Sequence, residues 1–318
     1  MQSMEYVYAV YCEKSFSAAA RKLFISQPAL SSTVKKVEKE LGMPLFDRSA
    51  FPIQLTTAGK AYIKAAKQIL TIQKNFKSYV GDLANLQSGN LSLGGTNFFA
   101  SCMLPFMIKA FSKNCPKIQL RITESDSADL YARLLTDEID LIVDSGLYNI
   151  NFYESISLME DHILLAVPSN NIQNKSHSAA QLTQKDIIAG TVNNENIPAV
   201  ALADFAEEEF LLLGRGNDMY RRSLELCRNS GFSPKVRLYL NQLMTAYHMA
   251  RQGLGITFLT DSLVRKSMLS DALVYYKIKD PAAVRKIFIA YRKNAYQTSA
   301  MREFIRLSRN LYSKSPVK

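Results

Sequence analysis

The sequence has few of the residues that build metal sites, disulfide frameworks or membrane spans. Its three histidines have no i, i+4 partner, and the longest uninterrupted apolar run is seven residues, against about 18 for a membrane-spanning helix. Its four cysteines lie too far apart for a zinc motif or a disulfide framework. They are Cys12, Cys102, Cys115 and Cys227. We therefore predict free thiols, no metal site and no integral membrane segment.

Catalytic motifs and a secretory signal are also missing from the sequence. It has no G-x-S-x-G nucleophile elbow, no Walker A loop and no G-x-G-x-x-G, which favours a protein that is not an enzyme and needs no cofactor. The first basic residue is Lys14, so no basic segment precedes an apolar stretch as in a signal peptide. We expect a cytoplasmic protein.

Positive charge is what the sequence does have. The 318 residues carry a formal net charge of +11, of which +6 falls in residues 1–90 and +5 in the remainder. The length predicts about two domains. The pattern changes near Ser88 to Asn90, from apolar residues at helical spacing to short β-rich runs that alternate with helical segments. Concentrated basic charge in a small first domain favours nucleic-acid binding.

Two short helices near the N-terminus have helix-turn-helix proportions. Ser17 precedes three alanines and predicts a capped helix start, and Ser26 with Pro28 predicts a second one after a turn of about three residues. Gly42 and Pro44 then end the second helix.

The second of these helices has two distinct faces. Leu30, Val34, Val37 and Leu41 form an apolar stripe for a core. The opposite face is small and polar at its start and basic further along. It comprises Pro28, Ser31, Ser32, Lys35, Lys36 and Lys39. Small polar groups can approach base edges in a major groove, and lysines neutralise phosphates. A merely solvated helix face is the alternative interpretation.

A hairpin and a long helix follow. Leu45 to Arg48 and Ile53 to Leu55 predict a β-hairpin wing, and Thr56 or Thr57 predicts the next helix cap. Apolar residues in that helix alternate at spacings of three and four, which predicts a coiled-coil seam and a dimer. They are Tyr62, Ala65, Ile69, Ile72, Phe76, Tyr79, Leu83 and Leu86. Packing against the C-terminal domain is the rival explanation of this stripe.

Taken together, these segments resemble the LysR-type transcriptional regulators. The matching motifs run from Phe16 to Leu23, Ser26 to Ser31, Val37 to Gly42, Pro44 to Arg48 and Leu55 to Gly59. The resemblance implies a winged helix-turn-helix domain over residues 1–59, a dimerisation linker helix over 60–89 and an effector-binding domain over 90–318. It also implies an interrupted palindromic DNA site, a small-molecule effector, a homodimer or homotetramer, and contact with RNA polymerase.

By the same resemblance, one set of residues faces DNA. Major-groove contacts fall to Gln27, Pro28, Ser31, Ser32 and Lys35, with Lys36 and Lys39 beside the phosphates. Arg48 then contacts the backbone or the minor groove beside the wing. The chain departs from the family at Ser49 to Pro52, where a second basic residue is common and is absent here.

The family's effector-binding domain is α/β, with two Rossmann-like subdomains of the type 2 periplasmic-binding-protein kind. Strand-like runs between helical patterns agree with this. The implied subdomains are about 90–165 with 265–318, and about 166–264, with a hinge near Val167 and Asp261. The late strands Leu273 to Ile278 and Lys286 to Tyr291 are expected to return to the first subdomain. A periplasmic-binding-protein-like module is the alternative function.

Ligands of such folds bind where strand ends meet helix N-termini. The predicted effector residues all lie in turns of this kind. They are Thr96, Asn97, Ser125, Asp144, Arg215, Asn217 and Gln242. An ordinary turn or helix cap is the alternative role for each. The polar segment 169–203 is expected to be a mobile loop, with a partner-binding element or lid as the alternative.

Overall fold

The computed structural model of the protein describes residues 2–49, 52–83 and 89–313. The chain divides into two compact units, Met1–Asn85 and Leu86–Lys318. The described elements of the first unit are α1 (Gln2–Glu13), α2 (Phe16–Lys22), α3 (Gln27–Leu41), β1 (Phe46–Asp47), β2 (Gln54–Leu55) and α4 (Thr57–Leu83).

Helices α2 and α3 form the predicted helix-turn-helix. The Ser26 side chain accepts a hydrogen bond from the Ala29 backbone N–H, and Gly42 ends α3 in the left-handed conformation at φ 69°, as the sequence predicts. The cap of α2 is Ser15, whose hydroxyl accepts from the Ala18 N–H, so the prediction of Ser17 was wrong. The helix starts two residues earlier because Phe16, which is buried, belongs to its core face.

The wing is an antiparallel pair, with Phe46 opposite Leu55 and Asp47 opposite Gln54. The wing residues Ala50 and Phe51 lie outside the described residues. Thr56 caps α4, since its hydroxyl accepts from the Gly59 N–H and donates to the Pro44 carbonyl. That single side chain therefore ties the start of α4 to the segment just before β1.

Gly59 lies where α4 crosses the wing, and a side chain there has no room. A Cβ on Gly59 would lie 2.0 Å from the Leu45 carbonyl oxygen, whereas on Gly89 it would lie 3.8 Å from its nearest neighbour, Ile118 Cδ1. We expect Gly59→Ala to lower the free energy of unfolding of the first unit by roughly 1–3 kcal/mol. Thermal unfolding should show this loss for Gly59→Ala and none for the matched Gly89→Ala. Equal stability of the two variants would contradict the close approach.

Among the side chains of α4 that the structure describes, those near the start of the helix pack on the winged unit. Ile63 and Ala66 are buried there, whereas Ile69, Ile72 and Phe76 are 40%, 67% and 65% exposed. The side chains of Tyr79 and Leu83 and the whole of Leu86, all predicted for the dimer seam, lie outside what the structure describes.

The second unit is α/β, as predicted. Its strands are β3 (Gly89–Gly95), β4 (Ile118–Glu124), β5 (Leu141–Asp144), β6 (Tyr153–Pro168), β7 (Glu209–Leu213), β8 (Lys235–Leu240), β9 (Ile256–Thr260), β10 (Leu273–Lys277) and β11 (Val284–Arg292). Its helices are α5 (Asn97–Cys102), α6 (Leu104–Asn114), α7 (Ser127–Leu135), α8 (Gln184–Ile188), α9 (Asp218–Asn229), α10 (Leu243–Arg251), α11 (Asp261–Lys266) and α12 (Ser299–Ser313).

Strand β6 joins two subdomains within this unit. The strands run in the order β4-β3-β5-β11-β6-β9-β7-β8, with β10 also paired to β6. The first part of β6, up to His162, pairs with β11, and the part from Ile163 onward pairs with β9 and β10. In the first subdomain β3 is parallel to β4 and β5, and in the second β7 is parallel to β8 and β9. The carboxyl ends of the parallel strands therefore lie together within each subdomain.

Two predictions about this sheet were wrong. Strand β10 pairs with residues 164–168 of β6 and packs in the core of the second subdomain, so only β11 returns to the first. The chain therefore passes from one subdomain to the other in the middle of β6, near His162, and again in the segment from Lys277 to Val284. This second segment replaces Asp261 as the second hinge position. The first part of β6 was also missed, because polar residues such as Glu154 and Glu160 interrupt its pattern.

Segment 169–203 is ordered, so the expectation of a mobile loop was wrong. It contains α8 and several short 3-10 turns. Its apolar side chains, including Leu182, Ile187 and Leu202, are buried in the core of the second subdomain. Buried Gln184 donates from its amide to the carbonyls of Val264 and Ser267. The segment is thus part of that subdomain's core. Its many asparagines made it look like a solvent-exposed loop in the sequence.

None of the described helices has the length and apolar composition that a membrane span requires.

Candidate nucleic-acid interface and ligand cleft

Helix α3 presents the predicted DNA-facing residues on one surface. Leu30, Val34 and Val37 are buried behind it, although Leu41, predicted for the same stripe, is 49% exposed because the helix ends there. The side chains on the outer face line a single shallow depression. They are Gln27, Pro28, Ser31, Ser32, Lys35, Lys36 and Lys39. The structure therefore brings together these residues on one side of one helix.

The three lysines of this surface are exposed, and they form no ion pair with any residue that the structure describes. Thr33 lies on the same helix but differs, since its hydroxyl donates to the Ala29 carbonyl at 3.0 Å. The lysine charges are thus available to an external anion, whereas the Thr33 hydroxyl is already used within the helix.

Arg48 has internal partners in addition to its predicted role. Its Nη2 donates to Glu38 Oε2 at 2.9 Å, and its guanidinium lies 5.2 Å from the centre of the Phe16 ring. The other oxygen of Glu38 accepts the backbone N–H groups of Leu45 and Phe46. Arg48 and Glu38 therefore fix the wing onto α3, a function that was not apparent from the sequence.

A cleft of about 610 Å³ lies between the two subdomains. It is lined by every effector residue predicted from the sequence: Thr96, Asn97, Ser125, Asp144, Arg215, Asn217 and Gln242. These residues come from strand ends and helix starts on both sides, as the Rossmann-like topology requires. Their contact with an effector stays a prediction.

Several of these side chains are held by local hydrogen bonds. Asn97 Nδ2 donates to Glu124 Oε1 at 2.9 Å, and Asn217 Oδ1 accepts from the Met219 N–H at 2.9 Å as the cap of α9. Thr96 and Gln242 occupy the cap positions of α5 and α10, but neither makes a side-chain cap hydrogen bond. The last two are therefore free to turn towards a ligand.

Asp144 is the most buried of the predicted effector residues, at 2% exposure. Its Oδ1 accepts the Ser145 N–H at 2.8 Å, while Oδ2 has no partner at hydrogen-bond distance among the described residues. Burial raises the pKa of this carboxyl, the N–H groups of Ser145 and Gly146 lower it, and the negative charge of Asp218 on the opposite wall raises it further.

Arg285 lines the cleft and belongs to a charged pair that sequence reasoning missed. Arg285 Nε and Nη2 donate to Asp161 Oδ2 at 2.8 and 2.7 Å, and Arg285 Nη1 donates to Ser145 Oγ at 3.1 Å. Asp161 Oδ1 accepts the Ser262 N–H, which belongs to the second subdomain. The guanidinium also lies 5.6 Å from the ring centres of Phe98 and Phe99.

This pair connects β6, β11 and α11 at the crossing between the subdomains. Asp161 is fully buried and Arg285 is 4% exposed. The two residues are 124 positions apart, so no local motif could have identified them. The only local signal is a charged residue just before each of two predicted strands: Asp161 before the strand that starts at Ile163, and Arg285 before the strand that starts at Lys286. Within the described residues, no cluster of three or more potential ligands for a metal ion occurs.

Comparisons with protein families match nearly the whole chain. Residues 1–60 match the model for bacterial regulatory helix-turn-helix proteins of the lysR family, and residues 84–312 match the LysR substrate-binding domain. The uncharacterized HTH-type transcriptional regulator YcgK of Bacillus subtilis is 28% identical over 306 residues, which cover 96% of this chain and 93% of YcgK.

Solved structures of similar proteins support the fold. Full-length OxyR from Pseudomonas aeruginosa aligns with a TM-score of 0.71 and 23% identity over 99% of this chain and 98% of its own. Full-length CbnR, in a complex with its target DNA, aligns with a TM-score of 0.64 and 20% identity over 97% of this chain and 98% of its own. Each of these chains has the architecture described above from end to end.

Proposed function

The chain belongs to the LysR family of bacterial transcriptional regulators, and on that premise we propose that it binds an interrupted palindromic operator as a homo-oligomer. Helix α3 lies in the major groove, and a small-molecule effector in the cleft changes the geometry of the paired winged units. Two-fold protein symmetry then matches two-fold operator symmetry.

The observation that carries this proposal is the outer face of α3. Small polar side chains, Ser31 and Ser32, lie near its start, and lysines that form no ion pair with the described residues follow along the same surface. The start of a recognition helix reads base edges, while basic side chains further along neutralise phosphates. A helix face that was only solvated would not require this ordering of small groups before charges.

Dimerisation is supported by the stripe on α4. Ile69, Ile72 and Phe76 are exposed at spacings of three and four residues, and one helix cannot bury such a stripe by itself. A second copy of α4 would cover it. The same oligomer places two copies of α3 on one DNA molecule.

Effector binding, location and the absence of catalysis complete the proposal. As ligand contacts, the cleft offers two side chains at cap positions that make no cap hydrogen bond, Thr96 from the first subdomain and Gln242 from the second. A regulator of this family acts at its DNA in the cytoplasm, contacts RNA polymerase there and carries out no reaction of its own. The family is one of regulators rather than enzymes, which supports this last point.

A gel-shift titration with the DNA upstream of the protein's own gene tests the function. We expect a retarded complex whose affinity falls steeply with added salt, because phosphate neutralisation releases counterions. No complex across a range of salt concentrations, or binding that is independent of salt, would contradict the proposal.

Two hydroxyl removals on α3 test the orientation of the helix. Ser32→Ala should weaken binding to the operator by about tenfold, since a lost base contact costs roughly 1–3 kcal/mol. Thr33→Ala is the matched control and should leave affinity unchanged, because that hydroxyl already bonds to Ala29. Light scattering should show the same oligomer for both variants. Equal losses for both would mean that α3 does not face DNA as proposed.

A further inference from the structure

The cleft is acidic on one wall, although the whole chain carries a net charge of +11. Glu124, Asp126 and Asp144 line the wall contributed by the first subdomain. Asp126 caps α7 by accepting the Asp129 N–H at 2.9 Å, and Glu124 accepts only from the neutral amide of Asn97. No cation of the described chain forms an ion pair with any of the three.

The positive groups in the cleft do not compensate for this wall. Arg285 is committed to Asp161 through two hydrogen bonds. Asp218, on the opposite wall, is balanced by Arg221 and Arg222 at 2.8 and 2.7 Å. Arg215 is exposed and lies on the second subdomain. The first wall therefore faces the ligand with negative charge that the protein leaves unmatched.

Asp144 provides an independent reason to place a ligand there. Its buried Oδ2 lacks a hydrogen-bond partner, and leaving a buried acceptor unsatisfied is unfavourable. The hydroxyls of Ser127 and Tyr131 are near enough to interact with this carboxyl at longer range, but neither lies within hydrogen-bond distance of Oδ2. A donor from outside the chain would complete this carboxylate.

We propose that the effector carries a positively charged nitrogen group, an ammonium or guanidinium, which binds the acidic wall by donating to Asp144 Oδ2. This inference rests on the proposed function, because it takes the cleft to be the effector site. The cation supplies the missing donor and offsets the unmatched negative charge of the first wall.

Thermal-shift titration of the full chain with matched probes tests this inference. Putrescine, L-lysine and L-arginine are the cationic probes, and succinate and glutarate are the anionic ones. We expect a saturable rise in melting temperature with at least one cationic probe, about 5 °C at a hundred times its Kd, and none with the anionic probes. A saturable shift with anionic probes alone, or with no probe, would overturn the inference.

Three variants separate a ligand contact from a structural one. Asp144→Asn should weaken cation binding by at least about tenfold, while the melting temperature of the ligand-free protein rises or stays the same, because an unmatched buried charge has been removed. Glu195→Gln removes the same charge from an exposed position away from the cleft and should leave the response intact. Tyr131→Phe should also retain the thermal-shift response to the cationic probe.

A lower melting temperature of ligand-free Asp144→Asn would mean that the carboxylate is structural, and would overturn the inference. Loss of the cation response in Tyr131→Phe would mean that the probe binds through the Tyr131 hydroxyl rather than through Asp144, and would also overturn it. DNA titration of the same samples distinguishes the two proposals. DNA binding that responds to an anionic probe leaves the regulatory function standing and removes only the cationic effector, whereas absence of DNA binding removes the function itself.

Discussion

Replacing Lys35, Lys36 and Lys39 together with glutamine should reduce DNA affinity by more than about a hundredfold near 0.1 M salt. These side chains are exposed on the outer face of α3 and form no ion pair with the described residues. Each phosphate contact contributes about 0.9 to the slope of log affinity against log salt. The slope should therefore fall by about 2.7 for each recognition helix.

The lysine variant should also lose affinity for unrelated DNA, because phosphate contacts carry no sequence information. Fluorescence anisotropy with operator and random duplexes at several salt concentrations measures both effects. The control replaces Lys175, Lys185 and Lys279, which are exposed in the second unit, with glutamine. If this control loses as much affinity, the net charge of the chain rather than α3 accounts for binding.

Arg285→Met should be the most destabilising single substitution in the second unit, by roughly 3–5 kcal/mol. The variant leaves Asp161, which is fully buried, without its two charged hydrogen bonds. Replacing both partners, as Arg285→Met with Asp161→Leu, should recover much of the loss, because no buried charge then remains unpaired. Chemical unfolding of both proteins measures the difference.

The same defect should depend on pH in a defined direction. Complete burial raises the pKa of the Asp161 carboxyl and the Arg285 charge lowers it, so removing Arg285 raises this pKa further. A folded-state pKa above the unfolded value means that the folded protein binds more protons, and stability then falls as pH rises between the two values. The defect of Arg285→Met should therefore be large at pH 7 and smaller near pH 5. A defect that is constant over this range would contradict a charged Asp161.

Local chemistry made much of the first unit predictable. The Ser26 cap, the left-handed Gly42 and the exposed face of α3 depend on residues within one helix, and each follows from a rule about neighbouring positions. Ser15 was missed in favour of Ser17 because both precede good helix formers, and only the packing of Phe16 decides between them.

The second unit was predictable where strands were apolar and poorly predictable where partners are distant in sequence. All seven predicted effector residues meet in one cleft because strand ends in a parallel sheet converge. The pairing of β10 with β6 and the bond between Asp161 and Arg285 depend on tertiary contacts. The order within segment 169–203 likewise comes from burial of a few apolar side chains among many polar ones.

The central claim is that paired α3 helices read a two-fold DNA site, and hydroxyl-radical footprinting of the full chain on its upstream DNA tests it most directly. The account predicts two protected segments related by a dyad, on one face of the duplex, with centres separated by a multiple of about 10.5 base pairs. A single protected segment, or protection without two-fold symmetry, would contradict it.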